Sequence, residues 1–154
     1  MALKIGQTAP DFTLPSTSGN NFTLSLSLKG MACIIYFYPK DFTQGCTSQA
    51  CGFRDNMDEF RSLDIPVVGI SRDNIETHIR FKEKLQLPFE LLSDEDGKVC
   101  LAYDALVPLL KIPKRVTYLL DHNHIVRAKL QDMFDAGKHV KSMVSTLRQN
   151  QWKA

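Results

Sequence analysis

Residues 31–38, Met-Ala-Cys-Ile-Ile-Tyr-Phe-Tyr, form an unbroken apolar run rich in β-branched and aromatic side chains. Such a run predicts a strand buried on both faces, which in turn needs other elements packed above and below it. Its length is far short of the roughly 20 residues that span a bilayer. The loop Pro39-Lys40-Asp41-Phe42-Thr43-Gln44-Gly45 follows, and then a helical pattern over Thr47–Leu63, where Phe53, Met57 and Phe60 recur at spacings of three and four. Strand, Gly-containing loop and helix in immediate succession constrain the fold more than any other stretch of the chain.

The rest of the pattern completes that plan. Phe12-Thr13-Leu14 and Phe22-Thr23-Leu24 flank Ser18-Gly19-Asn20-Asn21 and read as an N-terminal hairpin. Ile65–Ile70 reads as a second buried strand, Ile75–Leu85 as an amphipathic helix capped by Asp73 or Asn74, and Phe89–Leu92 as a short strand. A helix is expected over Asp94–Ala105, a hairpin from Arg115–Asp121 and Ile125–Leu130 around His122-Asn123-His124, and a last helix over Phe134–Gln149. Strands alternating with helices, then a late hairpin and helix, predict an α/β thioredoxin-like fold: a central mixed β-sheet flanked by helices, with the N-terminal hairpin as an extension. No repeat, low-complexity tract or linker divides the chain, so residues 1–154 are expected to form one domain.

Charge narrows the functional classes. The net charge is +2, with no block of like charges, so neither nucleic acid nor an anionic membrane is an expected partner. The opening Met-Ala-Leu-Lys-Ile-Gly-Gln-Thr carries no secretory pattern. Four cysteines are too few for a secreted, disulfide-stapled scaffold of this length. The cytoplasm is therefore the expected compartment, where closely spaced cysteines point to redox or metal chemistry. His78, His122, His124 and His139 are scattered and form no ligand pattern with the cysteines, so neither a metal nor a cofactor is expected.

Cys46 stands at the start of the predicted helix, where free backbone N–H groups and the positive dipole end favour a thiolate. Cys51 follows five residues later. Two positions five apart on an ideal helix have Cα atoms about 8–9 Å apart, beyond the roughly 7 Å that a disulfide tolerates. If both lie in the helix, they can bond only when it unwinds, and Gly52, a poor helix former, eases that. On spacing alone, a buried core cysteine is an equally good reading of Cys51. Cys33, inside the apolar run, and Cys100, in an amphipathic pattern, read as core residues.

The run Pro39-x-x-x-Thr43-x-x-Cys46 resembles the active-site signature of the peroxiredoxins. Tyr-Phe-Tyr-Pro-Lys before it and Gly-Cys-Thr-x-x-Ala-Cys through Cys51 resemble the bacterioferritin-comigratory, or Q-type, subfamily. Further blocks extend the resemblance over nearly the whole chain: Ala9–Leu14, Cys51–Asp55, Val68–Ser71, Leu92–Asp94 and Arg115–Tyr118. The resemblance implies a thiol-dependent peroxidase acting on hydrogen peroxide and organic hydroperoxides. Cys46 would be the peroxidatic nucleophile and Cys51 the resolving cysteine, closing an intramolecular disulfide re-reduced by thioredoxin or a similar dithiol. The subfamily's other resolving position falls on the next helix, which here has no cysteine. Thr43 and Arg115 would stabilise the transition state, and Pro39 would shield the thiolate. Gln49, where relatives often carry a glutamate, would support this network without belonging to the catalytic set. With both cysteines in one chain, a monomer is sufficient.

Two rival functions share the fold. A thiol–disulfide oxidoreductase would usually have two residues between its cysteines, not four. A non-enzymatic redox-responsive binding domain would not be expected to retain Pro39, Thr43, Cys46 and Arg115 together. The chain departs from the family between Cys100 and Arg115, where relatives often carry a longer glycine-containing loop. The short apolar run Ala105–Pro113 stands there instead, and Leu109 and Leu110 are expected to form an exposed patch that binds a bulky hydroperoxide or a partner.

Overall fold

The computed structural model describes residues 3–149 and Trp152. Two short strands, β1 (Thr13–Pro15) and β2 (Asn21–Thr23), form the expected hairpin, and a single helical turn, α1 (Leu24–Ser27), follows it. The main sheet is built from β3 (Cys33–Phe37), β4 (Val67–Ser71), β5 (Glu90–Ser93), β6 (Val116–Leu120) and β7 (Val126–Gln131). Its strand order is β5-β4-β3-β6-β7. The pairs β3–β4 and β4–β5 are parallel, whereas β3–β6 and β6–β7 are antiparallel. The sheet is mixed, as expected, and β3 lies at its centre.

The position of β3 explains the apolar run. All five of its residues are buried, and alternation sends them into two different cores. Ile34 and Tyr36 pack with Phe53, Phe60, Phe81, Val140 and Met143, beneath the helices α2 (Gln44–Asp55), α3 (Met57–Ser62), α4 (Ile75–Leu85) and α6 (Ala136–Gln149). Cys33, Ile35 and Phe37 pack with Phe12, Leu14, Phe22 and Tyr103, beneath the N-terminal segment and α5 (Lys98–Ala102). A strand with helices on one face and a folded extension on the other has no polar face to show.

Several boundaries depart from the sequence reading, each for a local reason. The helix expected at Thr47–Leu63 starts at Gln44 and divides at Asn56. The Asn56 side chain donates to the Gly52 carbonyl at 2.8 Å, offering the backbone an alternative to the next helical bond. The helix expected at Asp94–Ala105 shrinks to α5. Gly97, just before it, has φ of +76°, and Asp104, just after it, has φ of +54°. Both lie in the left-handed region, which a helix cannot continue through. The Asp94 carboxylate instead accepts the Cys100 and Val99 N–H groups at 2.7 and 3.3 Å. Helix α4 matches its expected bounds, with Asn74 as its cap accepting from the Thr77 N–H. Among the described residues no helix is long and apolar enough to cross a membrane.

Candidate active site

The chain leaves the C-terminal end of β3 at Tyr38, runs through the loop from Pro39, and enters α2 with Thr43 as the extended residue before its first turn. Gln44, Gly45 and Cys46 are the first three helical residues, so their N–H groups lie in the turn that has no intrahelical acceptors. Cys46 is 1% exposed. Cys51 is half-buried in the same helix, and both carry free thiols.

Arg115 reaches this thiol from the adjacent strand. It immediately precedes β6, whose first residue Val116 pairs with Phe37 at the end of β3. The arginine therefore enters the site beside the start of the loop. It is 5% exposed, and each nitrogen of its fork has a distinct task. Nη2 donates toward Cys46 Sγ at 3.4 Å, Nη1 donates to Gln49 Oε1 at 2.6 Å, and Nε donates to the Met133 carbonyl at 3.3 Å. Three points of attachment fix the guanidinium plane, which a lysine could not reproduce. The close approach depends on Gly45. A Cβ there would stand 2.9 Å from Arg115 Nη2.

Gln49 belongs to this network more firmly than its sequence position indicated. It lies one helical turn beyond Cys46 on the same face, a spacing legible in the sequence. Its side chain is fully buried, and its Nε2 has no hydrogen-bond partner among the described residues. A buried amide nitrogen without a protein partner beside the arginine is an arrangement that stability alone does not favour. The turn carrying Met133 is held in its own right. His139 Nε2 lies 2.9 Å from the Asp132 carbonyl, which only accepts, so that nitrogen bears the hydrogen. Its Nδ1 is then the acceptor for the Thr117 hydroxyl at 2.7 Å. Burial above all, with the Arg115 charge adding to it, pushes the His139 imidazole below its ordinary value, consistent with the neutral ring. Nothing in the spacing of Thr117, His139 and Met133 signalled this support, because it is assembled across β6, the β7–α6 turn and α6.

Thr43 and Pro39 lie in the loop that leads into α2, and among the described residues neither is hydrogen-bonded to the thiol. Thr43 is exposed, and its hydroxyl donates to the Lys40 carbonyl at 2.8 Å. Pro39 is half-buried in the loop. Cys33 and Cys100 lie in the opposite core, and burial pushes the Cys33 thiol up to about 12. Burial, reinforced by the Asp94 charge, raises Cys100 further. Neither is suited to nucleophilic work.

A buried cysteine at a helix start, met by a three-point arginine on a thioredoxin-like sheet, defines a protein built for thiol redox chemistry. The chain belongs to the AhpC/TSA family, whose model matches residues 5–129, and its similarities fall in the peroxiredoxin Q and bacterioferritin-comigratory branch. A Coxiella burnetii protein named peroxiredoxin bcp is 43% identical over 83% of this chain and 88% of its own. The chloroplastic peroxiredoxin Q of Suaeda salsa is 41% identical over 93% of this chain and 67% of its own. The crystal structure of peroxidoxin BcpB from Mycobacterium tuberculosis superposes with a TM-score of 0.89 at 33% identity, covering 97% of this chain and 99% of that one. The bacterioferritin comigratory protein of Xanthomonas campestris gives 0.83 at 28% identity, covering 96% of each chain.

Proposed function

We propose that this chain is a thiol-dependent peroxidase in which Cys46 attacks the peroxide and Cys51 resolves the product. The observation that carries the reading is the Arg115 Nη2 donor 3.4 Å from a nearly buried Cys46 thiol. Alkyl peroxide reduction by the Xanthomonas campestris relative supports the reaction class. In the first step the Cys46 thiolate attacks the terminal peroxide oxygen. An S–O bond forms, the O–O bond breaks, and the departing oxygen takes a proton to leave as water or alcohol. Negative charge spreads over sulfur and both oxygens, so fixed donors lower the barrier. Arg115, the free N–H groups at the start of α2 and a reoriented Thr43 hydroxyl supply them. Pro39 closes the loop side of the site.

In the second step Cys51 sulfur attacks the Cys46 sulfenic acid, an S–S bond forms, and the hydroxyl leaves as water. Both cysteines are in α2, where the ideal spacing is about 8–9 Å between Cα atoms, so the first turns must unwind before the bond closes. An external dithiol, thioredoxin or one like it, then returns both thiols and is itself oxidised to a disulfide. The chain acts as one domain over residues 1–154 and as a monomer in the cytoplasm, with peroxides and the dithiol as partners.

One experiment tests the core of this. Reduced protein is mixed with one equivalent of hydrogen peroxide, and thiol loss and mass are followed. Two thiols are expected to disappear together, with a Cys46–Cys51 disulfide in the peptide map. C46S is expected to abolish the reaction, and C51S to stop at the sulfenic acid. A Cys46 that reacts no faster than a free thiol in solution rejects the proposal.

A further inference from the structure

The active-site loop is held by one buried side chain that the reaction itself does not use. Lys40, Phe42 and Thr43 are exposed, whereas Asp41 between them is 2% exposed. Its carboxylate reaches two side chains. Oδ1 accepts from the Tyr38 hydroxyl at 2.6 Å, and Oδ2 stands 2.6 Å from His78 Nδ1 on α4. Its backbone N–H donates to Asp73 Oδ2 at 2.9 Å, and Asp73 is in turn fixed by the Ser71 hydroxyl at 2.5 Å. The next residue, Phe42, has φ of +65°, an unfavourable conformation for a bulky side chain, and its ring leans on Phe81 of α4 at 5.1 Å. The loop is thus bent against its own preference and clamped to α4.

The hydrogen inventory of the clamp is fixed by its neighbours. His78 Nε2 lies 3.0 Å from the Leu92 carbonyl, which can only accept, so Nε2 carries a hydrogen. Tyr38 spends its single hydrogen on Asp41 Oδ1. Two bare lone pairs cannot approach to 2.6 Å, so one proton lies between Asp41 Oδ2 and His78 Nδ1. Both side chains are fully buried, so no water replaces either partner. Removing one partner strands the other, the costly case for a buried polar pair.

We propose that Asp41 and His78 are positioning residues whose shared proton forms the catch on the 39–43 loop and the first turn of α2. Closed, the catch holds the Pro39–Thr43 loop in place at the start of α2 and favours attack on peroxide. Open, it releases Cys46 toward Cys51. The catch therefore sets how oxidised Cys46 partitions between two fates. One is disulfide closure with loss of water. The other is attack of the still-folded sulfenic acid on a second peroxide, which gives a sulfinic acid and an alcohol or water. This inference rests on the Cys46–Cys51 reading.

Its test uses H78L, D41A and D41N. Asparagine can keep every bond of the pair, with its oxygen accepting from Tyr38 and its amide donating to a neutral His78 Nδ1, so D41N is the rescue of D41A. Amide exchange over residues 42–47 is measured first, on reduced protein, where no disulfide is needed. Disulfide closure and sulfinic acid yield are then measured at rising peroxide. H78L and D41A are expected to speed exchange and closure roughly tenfold, the effect of one lost buried hydrogen bond on a local opening equilibrium. They are also expected to lower the sulfinic yield and slow peroxide attack, with D41N close to wild type in all four. Folded H78L or D41A with unchanged exchange and unchanged partition overturns the proposal, as does a D41N as loose as D41A. If H78L fails to fold, D41A and D41N decide alone. A wild-type protein that forms no Cys46–Cys51 disulfide rejects the earlier reading separately, while the exchange result still reports on the catch.

Discussion

Arg115 is worth more to this site than a positive charge, because its three donors are committed to three different acceptors. R115K keeps the charge and loses the fork. The peroxide rate is expected to fall about 100-fold, the usual effect of removing one fixed donor from a developing anion, with the fold and melting temperature little changed. Stopped-flow oxidation of Cys46 measures it. G45A is expected to act on the same step through the arginine, since its Cβ would stand 2.9 Å from Nη2 and push the guanidinium off the thiol. The buried cysteines give the opposite prediction. With Cys33 pushed up to about 12 by burial, its thiol keeps its proton through the neutral range. Iodoacetamide at pH 8 is expected to leave Cys33 and Cys100 unlabelled until urea unfolds the chain, as peptide mass mapping would show. The sign for stability follows. The folded state holds this proton more tightly than the unfolded chain, whose thiol titrates near 9. The contribution is therefore complete below 9 and is lost as pH rises through about 12. Denaturant midpoints are expected to fall across that window.

At the scale of elements, α2 carries conflicting demands. In the proposed cycle it is ordered to present Cys46 and unwinds to deliver it to Cys51. Gly52 was read from the sequence as a residue that eases melting, but the structure adds a packing reason. A Cβ at Gly52 would meet Val140 Cγ2 of α6 at 2.9 Å, so the glycine is what lets the two helices approach. The two effects oppose each other in G52A. Alanine raises intrinsic helix stability by about 1 kcal/mol, whereas overpacking a short, branched neighbour costs about 1–3 kcal/mol. A net loss is expected in urea unfolding, recovered in large part by G52A/V140A, and the double-mutant cycle isolates the contact. Asn56, which divides α2 from α3, confines the unwinding to a short helix. Its side-chain bond to Gly52 ends the segment that has to move.

For the molecule as a whole, the segment between α5 and β6 is the stretch that the sequence reading set apart from the family pattern. It folds back on itself through the Leu106–Pro113 bridge and is tied down where Arg72 donates to the Lys111 carbonyl at 2.8 Å. Leu109 at its tip is 95% exposed and Leu110 is 70% exposed, so neither contributes to the core. L109S/L110S is therefore expected to change stability by no more than about 0.5 kcal/mol. If these leucines greet bulky substrates, the same change lowers the rate with cumene hydroperoxide relative to hydrogen peroxide. An unchanged ratio removes substrate selection as their role.

Much of this was legible in the chain. Unbroken apolar runs and period-3.6 apolar patterns are local, so the strands, the α/β class and helix α4 could be read from neighbours in sequence. The Pro39, Thr43 and Cys46 spacing is local too, and Gln49 follows from it by one helical turn. The helix boundaries at Asn56 and Gly97 were less legible, because a side-chain bond to Gly52 and a left-handed glycine decide them. The clamps on the site were not legible in local pattern: Arg115 was reached only through the family resemblance, and the Asp41–His78 pair not at all. Arg115 lies 69 residues from Cys46, and Asp41 lies 37 from His78. These contacts exist because β3 sits between β4 and β6, which brings the residue before β6 and the helix after β4 to the same end of the sheet. The sequence by itself determined the order of the elements and the candidate nucleophile. Only the tertiary structure decided which distant, buried polar groups would have to satisfy one another there, since that depends on strand order and on the exclusion of water.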